Sequence, residues 1–371
     1  MSKARIFNLL SRGVAHLEMG SAGLSSEEAK RKYGVTEIIK LASNENPLGP
    51  SPRAIESAKK AAEVMNIYPD PTGFELRSAI AKTHGVKVEQ VLHSNGSAEL
   101  ITFIGQAFIN PGDECIIPKP TYQRYEEITD ITGGEKIISP LREFRIDLED
   151  MAKRVTSRTK LIVFVNPNNP TGDIVKRVEL EAFLNKVGKD KVLIFDEAYA
   201  EYVEDKEFPE MIKYISMGFH VIVLRTFSKA YGLAGTRLGY AISSPEIIQY
   251  LNSVRPVFNV NRIAQMVGIE AMNDKDHLNR CLQMVWNEKK YCYEEFNKMG
   301  LYFVPTSANF IFVNVGVDDL KLHETMTRNG VIIRPMTPWG YKGFIRVTIG
   351  THYQNEKMVE CLKKSIGELK S

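Results

Sequence analysis

A single lysine lies in an apolar, glycine-rich stretch that reads TFSKAYGLAGTRLGY, residues 226–240. Ser228 precedes Lys229, and Arg237 follows it eight residues later. A buried cation is unfavourable unless an anion lies beside it, and serine and arginine side chains are good donors to a phosphate. A lysine amine also becomes a nucleophile when its neighbours lower its pKa. The stretch therefore predicts an anion site next to a reactive lysine.

Further polar residues follow apolar runs that are typical of buried strands. KLIVFV leads into NPNNPTG, KVLIF leads into DEAYAEY, and VLHSNGSAELI contains a turn followed by the start of a helix. The polar or turn positions at these ends and in the lysine stretch are Gly96, Ser97, Ala98, Asn169, Asp196, Tyr199, Ser228 and Lys229. Ligands of open α/β sheets bind at the carboxyl ends of the strands, so we expect these positions to meet.

Three of these features suit a phosphate group. Ser228 and Arg237 are hydrogen-bond donors, and a helix that begins after Gly96 presents free backbone N–H groups. Taken alone, the SNGSAE stretch is more often a plain helix cap, and a lone lysine is more often a surface residue. Their occurrence in this order at successive strand ends argues against coincidence.

The remaining features suit an aromatic ring. Asp196 ends an apolar strand, where it would take up a proton unless it met a cation. Asn169 and Tyr199 can both hydrogen-bond a phenolic oxygen. Asp196 alone is more often a cap or an ion-pair partner. Together with an amine at Lys229, however, the set matches the pyridinium, phenolate, aldehyde and phosphate of pyridoxal 5′-phosphate.

The elements that position these residues alternate along the middle of the chain. Residues 160–165, 191–196 and 220–227 are short Val- and Ile-rich runs, which predict buried parallel strands. Helical spacing lies between them at 178–187 and before them at 52–65, where Ile55, Ala58, Ala62 and Met65 are predicted to share the buried face. The alternation predicts a doubly wound α/β domain with a mostly parallel sheet.

The last part of the chain has a different pattern. A charged helical stretch at about 275–299 precedes two alternating segments, ANFIFVNV and GFIRVTIG, which predict strands. We therefore expect a smaller α+β domain that also uses the N-terminal segment. The predicted organisation is an N-terminal arm and substrate lid at 1–45, a large cofactor-binding domain at 46–270 and a small domain at 271–371.

Composition excludes several classes of function. The 371 residues are 43% hydrophobic and 25% charged with net charge +3, and no basic stripe suggests nucleic-acid binding. None of the four cysteines forms a C-x-x-C pair, and no Cys/His cluster has zinc spacing, so we expect free thiols and no metal site. No apolar run approaches the roughly 20 residues that span a membrane. The expected location is the cytoplasm.

The chain resembles the fold-type I pyridoxal-phosphate aminotransferases over nearly its whole length. NPNNPTG, DEAY and SKAYGLAGTRLGY carry this resemblance. Within that group the chain is most similar to the histidinol-phosphate aminotransferases. The stretches that match are IIKLASNENPLGPSP, YPDPTGFELR, SNGSAELI, VRPVFNVN and IRVTIGT. The resemblance implies an aspartate-aminotransferase-like fold and an active homodimer.

The resemblance also implies roles for single residues. Lys229 is implied to be the Schiff-base lysine and Asp196 the partner of the pyridine nitrogen, while Tyr199 and Asn169 bind the phenolic oxygen. The implied phosphate ligands are Gly96, Ser97, Ala98, Ser228 and Arg237, with Tyr122 stacked on the ring and Tyr68 reaching the cofactor phosphate of the other subunit. Arg346 is implied to hold the substrate's carboxylate or phosphate, and Asn44 is the second implied substrate residue.

The chain departs from this family near its start. The family usually has Pro-Tyr-x-Pro-Gly after HL, whereas residues 18–25 here read EMGSAGLS and contain no tyrosine. Because that segment covers the substrate end of the site in the family, we predict that histidinol phosphate is not the chief substrate. His16 and Glu18 could meet a polar or basic substrate, or could equally face solvent or cap a helix. In the phosphate site, Ala98 stands where an aspartate is usual.

The predicted function is transfer of an amino group between an amino acid-like amine and a 2-oxo acid, with Lys229, Asp196 and Tyr199 as catalytic residues. An alternative is an oxidase or decarboxylase that uses the same cofactor site on a different amino acid, and the altered residues 18–25 favour it. A more remote alternative is a catalytically silent cofactor-binding module. Retention of Lys229, Asp196 and Arg237 together argues against that last alternative.

Overall fold

The computed structural model describes residues 9–15, 17 and 23–371. Its helices are α1 (Arg12–Ala15), α2 (Ser26–Tyr33), α3 (Pro52–Ala62), α4 (Phe74–His84), α5 (Ser97–Phe108), α6 (Arg124–Thr132), α7 (Leu148–Lys153), α8 (Arg177–Val187), α9 (Met211–Ser216), α10 (Pro245–Ser253), α11 (Arg262–Asn273), α12 (Lys275–Lys298), α13 (Asp319–Arg328) and α14 (His352–Lys370). Short 3₁₀ turns span Val88–Gln90, Ala200–Tyr202, Ala234–Thr236 and Thr337–Trp339.

The strands form a large sheet and two smaller ones. They are β1 (Ile39–Lys40), β2 (Val91–Ser94), β3 (Glu114–Lys119), β4 (Glu135–Pro140), β5 (Thr159–Val165), β6 (Val192–Asp196), β7 (His220–Thr226), β8 (Gly239–Ile242), β9 (Tyr302–Val304), β10 (Phe310–Asn314), β11 (Val331–Ile332), β12 (Arg334–Pro335) and β13 (Phe344–Thr348). The large sheet has the strand order β2-β8-β7-β6-β5-β3-β4. Only β8 runs against its neighbours in it, which confirms the predicted mostly parallel sheet.

Helices cover both faces of this sheet. Along β5, Ile162 and Phe164 pack into one apolar cluster, with side chains of α4, α8 and α11. Leu161 and Val163 point the other way, into a second cluster with side chains of α5, α6 and α10. Because both faces are buried, the strands are continuous apolar runs without alternation. The predicted doubly wound arrangement is confirmed.

A second apolar core lies around the antiparallel sheet β12-β13-β10-β9. Its side chains come from β10, β13 and the helices α12, α13 and α14. The N-terminal segment joins this part of the chain, because β1 pairs in parallel with β11. This pairing agrees with the expected sharing of the N-terminal segment, while the proposed boundaries 1–45, 46–270 and 271–371 stay a prediction.

The predicted buried face of α3 is wrong. The helix buries Ala54, Ser57 and Ala61, whereas Ile55 is 42% exposed and Met65, beyond the helix end, is 65% exposed. Small side chains let α3 approach α11 closely, and the larger apolar side chains consequently lie on the outer surface.

The four cysteines are buried and none forms a disulfide, as predicted. In the part of the chain that the structure describes, no helix is long and apolar enough to cross a bilayer. The carboxyl ends of the large sheet, where the sequence predicts the polar site residues, lie next to the four-stranded sheet.

Candidate active site

A cavity of about 460 Å³ opens at the carboxyl ends of the large sheet. It is lined by Ala42, Ser43, Asn44, Ser97, Ala98, Tyr122, Val165, Asn169, Asp196, Ala198, Tyr199, Thr226, Ser228, Lys229, Arg237, Arg334, Trp339 and Arg346. The carboxyl ends of β2, β5, β6 and β7 all meet here. Since β2 and β7 are both antiparallel to β8, they point in the same direction. The volume is in the range of small-molecule and cofactor sites.

The environment of Lys229 favours a neutral amine. Its Nζ donates a hydrogen bond to the backbone oxygen of Ser43 at 2.9 Å. Burial, reinforced by the positive charge of Arg346, lowers the pKa of Lys229 to about 7. A neutral lysine amine is a nucleophile and a base near neutral pH, which is the behaviour expected from the sequence.

Asp196 ends β6 and is only 2% exposed. Tyr125 donates its hydroxyl proton to Asp196 Oδ2 at 3.0 Å, and the Ala198 N–H donates to Oδ1 at 3.2 Å. Burial raises the pKa of Asp196 to about 6, while these two hydrogen bonds oppose the shift. A carboxylate in such a place suits a cationic N–H partner.

An anion site lies at the start of α5. Gly96 precedes the helix with φ 75°, and no side chain in the described ranges caps its first turn. Arg237 is so close that a Cβ atom at Gly96 would lie 2.6 Å from its Nη2. Arg237 Nη1 lies 3.4 Å from Ser228 Oγ. A guanidinium, a hydroxyl and free backbone N–H groups thus converge, as they do in phosphate sites.

A hydrogen-bond network links the large sheet to the smaller one. Asn44 Nδ2 donates to the Tyr199 hydroxyl at 2.9 Å, and Arg346 Nη1 donates to Asn169 Oδ1 at 2.5 Å. Arg346 Nη2 donates to the Ala42 oxygen at 2.8 Å. Arg346 Nε is buried without a hydrogen-bond partner among the described residues.

A second arginine faces the first across two strands. Arg334 on β12 lies directly opposite Arg346 on β13, and both line the cavity. Burial lowers the pKa of both, to about 10 for Arg346. Two cationic side chains directly opposite each other make this part of the cavity lining rich in hydrogen-bond donors.

Sequence reasoning did not single out Tyr125, Arg334 or Trp339. Tyr125 lies in the first turn of α6, and Tyr122 lies three residues earlier, before the helix begins. Their rings meet edge to face at 6.4 Å between centroids. Arg334 follows the apolar residues 331–333 and begins a strand of only two residues. A strand this short gives no periodic signal in the sequence.

One predicted residue, Tyr68, lies elsewhere, and two others fall outside the described part of the chain. His16 and Glu18 are outside the residues that the structure describes. Tyr68 is 75% exposed and stacks on Phe258 with 4.7 Å between ring centroids, so it does not line the cavity of its own chain. The described end of the divergent segment lies against Arg334, which lines the cavity, since a Cβ atom at Gly23 would lie 2.5 Å from Arg334 Nη1.

The fold and this site together place the chain in a known family. The sequence model of aminotransferase class I and II matches residues 36–362, and the chain belongs to that family. The histidinol-phosphate aminotransferase of Moorella thermoacetica is 43% identical over 343 residues, which are 92% of this chain and 89% of that protein.

Two solved structures share the fold. The histidinol-phosphate aminotransferase from Sinorhizobium meliloti in complex with pyridoxal 5′-phosphate has a TM-score of 0.89 and 26% identity, over 97% of this chain and 98% of that chain. The aspartate aminotransferase from Thermotoga maritima has a TM-score of 0.83 and 25% identity, over 98% of this chain and 100% of that chain. The predicted aspartate-aminotransferase-like fold, the resemblance and the enzyme class, an aminotransferase, are confirmed.

Proposed function

We propose that the protein binds pyridoxal 5′-phosphate in this cavity through Lys229. It would then transfer an amino group between an amine that carries a carboxylate or phosphate and a 2-oxo acid. One observation carries this proposal. A lysine of lowered pKa, a buried carboxylate and an anion site lie in a single cavity of about 460 Å³.

The residues present fit each group of this cofactor. The start of α5, Ser228 and Arg237 would hold the phosphate, and Asp196 would hold the proton on the pyridine nitrogen. Asn169 and Tyr199 would bind the phenolic oxygen. When bound, the cofactor supplies an electron-withdrawing ring that stabilises the charge left on the substrate carbon when its C–H bond breaks.

The protein's own residues then orient the substrate and move protons. Lys229, as a neutral amine, would take the proton from the substrate Cα. Asp196 would keep the ring nitrogen protonated, and Tyr125 orients the Asp196 carboxylate by donating a hydrogen bond to Oδ2. Asn44 holds the hydroxyl of Tyr199 in the cavity. Burial of the site excludes water and strengthens each of these interactions.

The arginine pair sets the charge of the substrates. Arg346, with its unpartnered buried Nε, would bind a carboxylate or phosphate by two parallel hydrogen bonds. Arg334, directly opposite, would bind a second negative charge. A dicarboxylate such as 2-oxoglutarate meets both demands, and the amine donor must be at least singly anionic.

We further propose a homodimer in which Tyr68 reaches the partner's cofactor phosphate. Tyr68 belongs to an exposed apolar patch, defined here as Met65, Ile67, Tyr68, Val257 and Phe258. Their exposed fractions are 65%, 54%, 75%, 70% and 37%. A contiguous group of this kind is typical of a protein–protein interface. An aromatic hydroxyl in so exposed a turn has little role within its own subunit.

The divergent residues 18–25 bear on the choice of amine donor. The relatives' names make histidinol phosphate the reference substrate, and the sequence predicts that it is not the chief one here. Gly23 lies against Arg334, which supports the idea that residues 18–25 act at the substrate end of the cavity. Loss of one hydrogen bond to a charged group costs about 1.5–3 kcal/mol, or roughly ten- to a hundredfold in specificity.

A substrate panel tests the proposal. The value of kcat/KM would be measured for histidinol phosphate and for acidic, aromatic and basic amino acids, each with 2-oxoglutarate, while oxygen is monitored. We expect glutamate to form without oxygen consumption and at least one amino acid to exceed histidinol phosphate. A more than tenfold advantage for histidinol phosphate would contradict the substrate prediction. Turnover that needs oxygen and no 2-oxo acid would establish the oxidase alternative instead.

A further inference from the structure

The segment that joins α10 to α11 contacts both the proposed phosphate site and the turn that carries Tyr68. We call residues 255–262, which read RPVFNVNR, the bridging segment. One side of it contacts the start of α5, where the cofactor phosphate is proposed to bind. The other side contacts the turn at 67–71, which carries Tyr68.

Asn259 makes the contacts to the phosphate end. Its Nδ2 donates to Glu99 Oε2 at 2.6 Å, and its backbone oxygen accepts from Asn95 Nδ2 at 2.5 Å. Glu99 Oε2 also accepts from the Asn95 N–H at 2.7 Å, so it holds the residue before Gly96. Asn261 adds a contact to the backbone oxygen of Thr236, the neighbour of Arg237, at 3.3 Å.

Two arginines make the contacts to the Tyr68 turn. Arg255 Nη2 donates to the Pro71 oxygen at 2.8 Å. Arg262 Nε donates to the Ile67 oxygen at 3.3 Å, and its Nη2 donates to the Tyr68 oxygen. Each guanidinium therefore binds the main chain of the turn and leaves the Tyr68 side chain exposed.

The bridging segment is itself fixed in one conformation. Arg255 Nη1 donates to Asn259 Oδ1 at 2.7 Å, which joins its two contact sides. Phe258 adopts φ 61°, a conformation that L side chains rarely take, and this turns its ring onto Tyr68. Such a backbone persists only where the surroundings determine it.

We propose that Arg262 and Arg255 are positioning residues, which hold Tyr68 where it completes the cofactor site of the partner subunit. The inference rests on the proposed homodimer and cofactor. The turn at 67–71 is exposed, so the hydrogen bonds from the two arginines contribute little to the packing of their own subunit. They do restrict the turn in advance, which lowers the conformational entropy that Tyr68 would lose when it binds at the partner's site. Replacing either arginine should therefore weaken cofactor binding in the opposite subunit.

Arg262→Met is the first variant, and Arg53→Met is its matched control. Both arginines lie in the first turn of a helix, and Arg53 is exposed on α3. The affinity for pyridoxal 5′-phosphate is read from the visible absorbance of cofactor bound to Lys229, and dimerisation from sedimentation. We expect Arg262→Met to raise Kd about three- to tenfold with the dimer intact, a loss smaller than a full charged hydrogen bond. Arg53→Met should leave it unchanged.

Hybrid dimers, purified with two different tags, show which site is affected. In the first hybrid, one subunit carries Arg262→Met and the other carries Lys229→Ala, so the only covalent site faces an intact Tyr68 turn. In the second, one subunit carries both changes, so the only covalent site faces the altered turn. We expect the first to bind like the hybrid of wild type with Lys229→Ala, and the second to bind more weakly.

Equal weakening in both hybrids, or weakening in the first alone, would overturn the inference, because Arg262 would then act on its own site. Arg255→Met provides a second variant with the same expected pattern if Arg262→Met fails to form dimers. Tyr68→Phe distinguishes the proposed role of Tyr68 from the proposed role of the two arginines. If Tyr68→Phe weakens binding and neither arginine variant does, the positioning role is wrong. If Tyr68→Phe binds normally, the proposed role of Tyr68 is wrong as well.

Discussion

Burial shifts the pKa values of Lys229 and Asp196 toward each other. The pKa of Lys229 falls to about 7 and that of Asp196 rises to about 6, although neither side chain pairs directly with the other. Both charges are unfavourable at these buried positions, and both would be stabilised by a ligand that carries an aldehyde, an anion and a pyridinium. The residues are thus arranged for a cofactor rather than for stability of the chain alone.

The pH dependence of cofactor attachment follows from Lys229. The neutral fraction of an amine with a pKa of about 7 rises roughly tenfold per pH unit below 7 and saturates above 8. We expect the rate of covalent attachment to cofactor-free protein to follow this curve. Stopped-flow absorbance measures the rate, and borohydride reduction with peptide mapping identifies the lysine. A rate still rising between pH 9 and 10, or label on another lysine, would contradict the assignment.

Tyr125 gives a prediction about the carboxylate. Tyr125→Phe removes the donor to Asp196 Oδ2, so the pKa of Asp196 should rise and kcat should fall about tenfold. Asp196→Asn should lower kcat far more, on the order of a hundred- to a thousandfold. Tyr214→Phe is the control, since its hydroxyl donates to Glu181 outside the cavity. Equal kcat values for the Tyr125 and Tyr214 variants would refute the role.

At the scale of elements, the first turn of α5 makes the anion site. Gly96 lets the chain turn into the helix with φ 75° while Arg237 Nη2 lies against its backbone. A side chain at this position would occupy the space of the guanidinium. The glycine is therefore required both for the turn and for the close approach of the cation.

Gly96→Ala tests this arrangement against Gly85→Ala. Both glycines have positive φ, but a Cβ atom at Gly85 meets nothing within 4 Å in the described structure, whereas one at Gly96 meets Arg237 Nη2 at 2.6 Å. Both variants should lose unfolding free energy from backbone strain, about 1 kcal/mol for Gly85→Ala and up to about 3 kcal/mol for Gly96→Ala, because φ 75° with ψ 163° is a conformation nearly restricted to glycine. Only Gly96→Ala should weaken cofactor binding, by roughly tenfold or more. Thermal unfolding and cofactor titration measure the two effects, and equal cofactor affinities would contradict the prediction.

The strand ends could be predicted from the sequence because buried parallel strands are continuous apolar runs with an abrupt polar end. Thr159–Val165 and Val192–Asp196 show this pattern. The buried face of α3 could not be predicted in this way. Periodicity identifies the side of a helix that carries the larger apolar residues, but it does not show which side packs against a neighbouring helix. Small side chains at Ala54 and Ala61 pack against α11 instead. Arg334 was missed because its position opposite Arg346 depends on a long-range register.

At the scale of the whole molecule, the proposed site takes one residue, Tyr68, from a second copy of the chain. Tyr68 lies outside the cavity, in the exposed apolar patch defined above, and the bridging segment ties this patch to the phosphate end. The exposed Ile55 and Met65, which the sequence placed in the core, lie on the outer side of the same region of chain. A second copy of the chain is the partner that would cover this surface.

Ile67→Glu should dissociate the dimer. Ile67 is 54% exposed in the apolar patch, and a charge buried in an interface without a partner is strongly unfavourable. We expect monomers in sedimentation velocity, a native circular dichroism spectrum and at least tenfold weaker cofactor binding, because Tyr68 no longer reaches the partner's site. Leu320→Glu, at a residue that is 46% exposed on α13, is the control and should remain dimeric. A fully active monomer would contradict the proposed assembly.

The central claim is amino transfer through a cofactor bound at Lys229, and a half-reaction measurement tests it most directly. The purified holoenzyme is mixed with one amine donor at a time, without oxygen, and its visible absorbance is followed before and after addition of 2-oxoglutarate. We predict that a donor abolishes the absorbance band, that 2-oxoglutarate restores it, and that one glutamate forms for each site restored. A band that returns only with oxygen, or a donor that releases carbon dioxide without glutamate, would contradict the account.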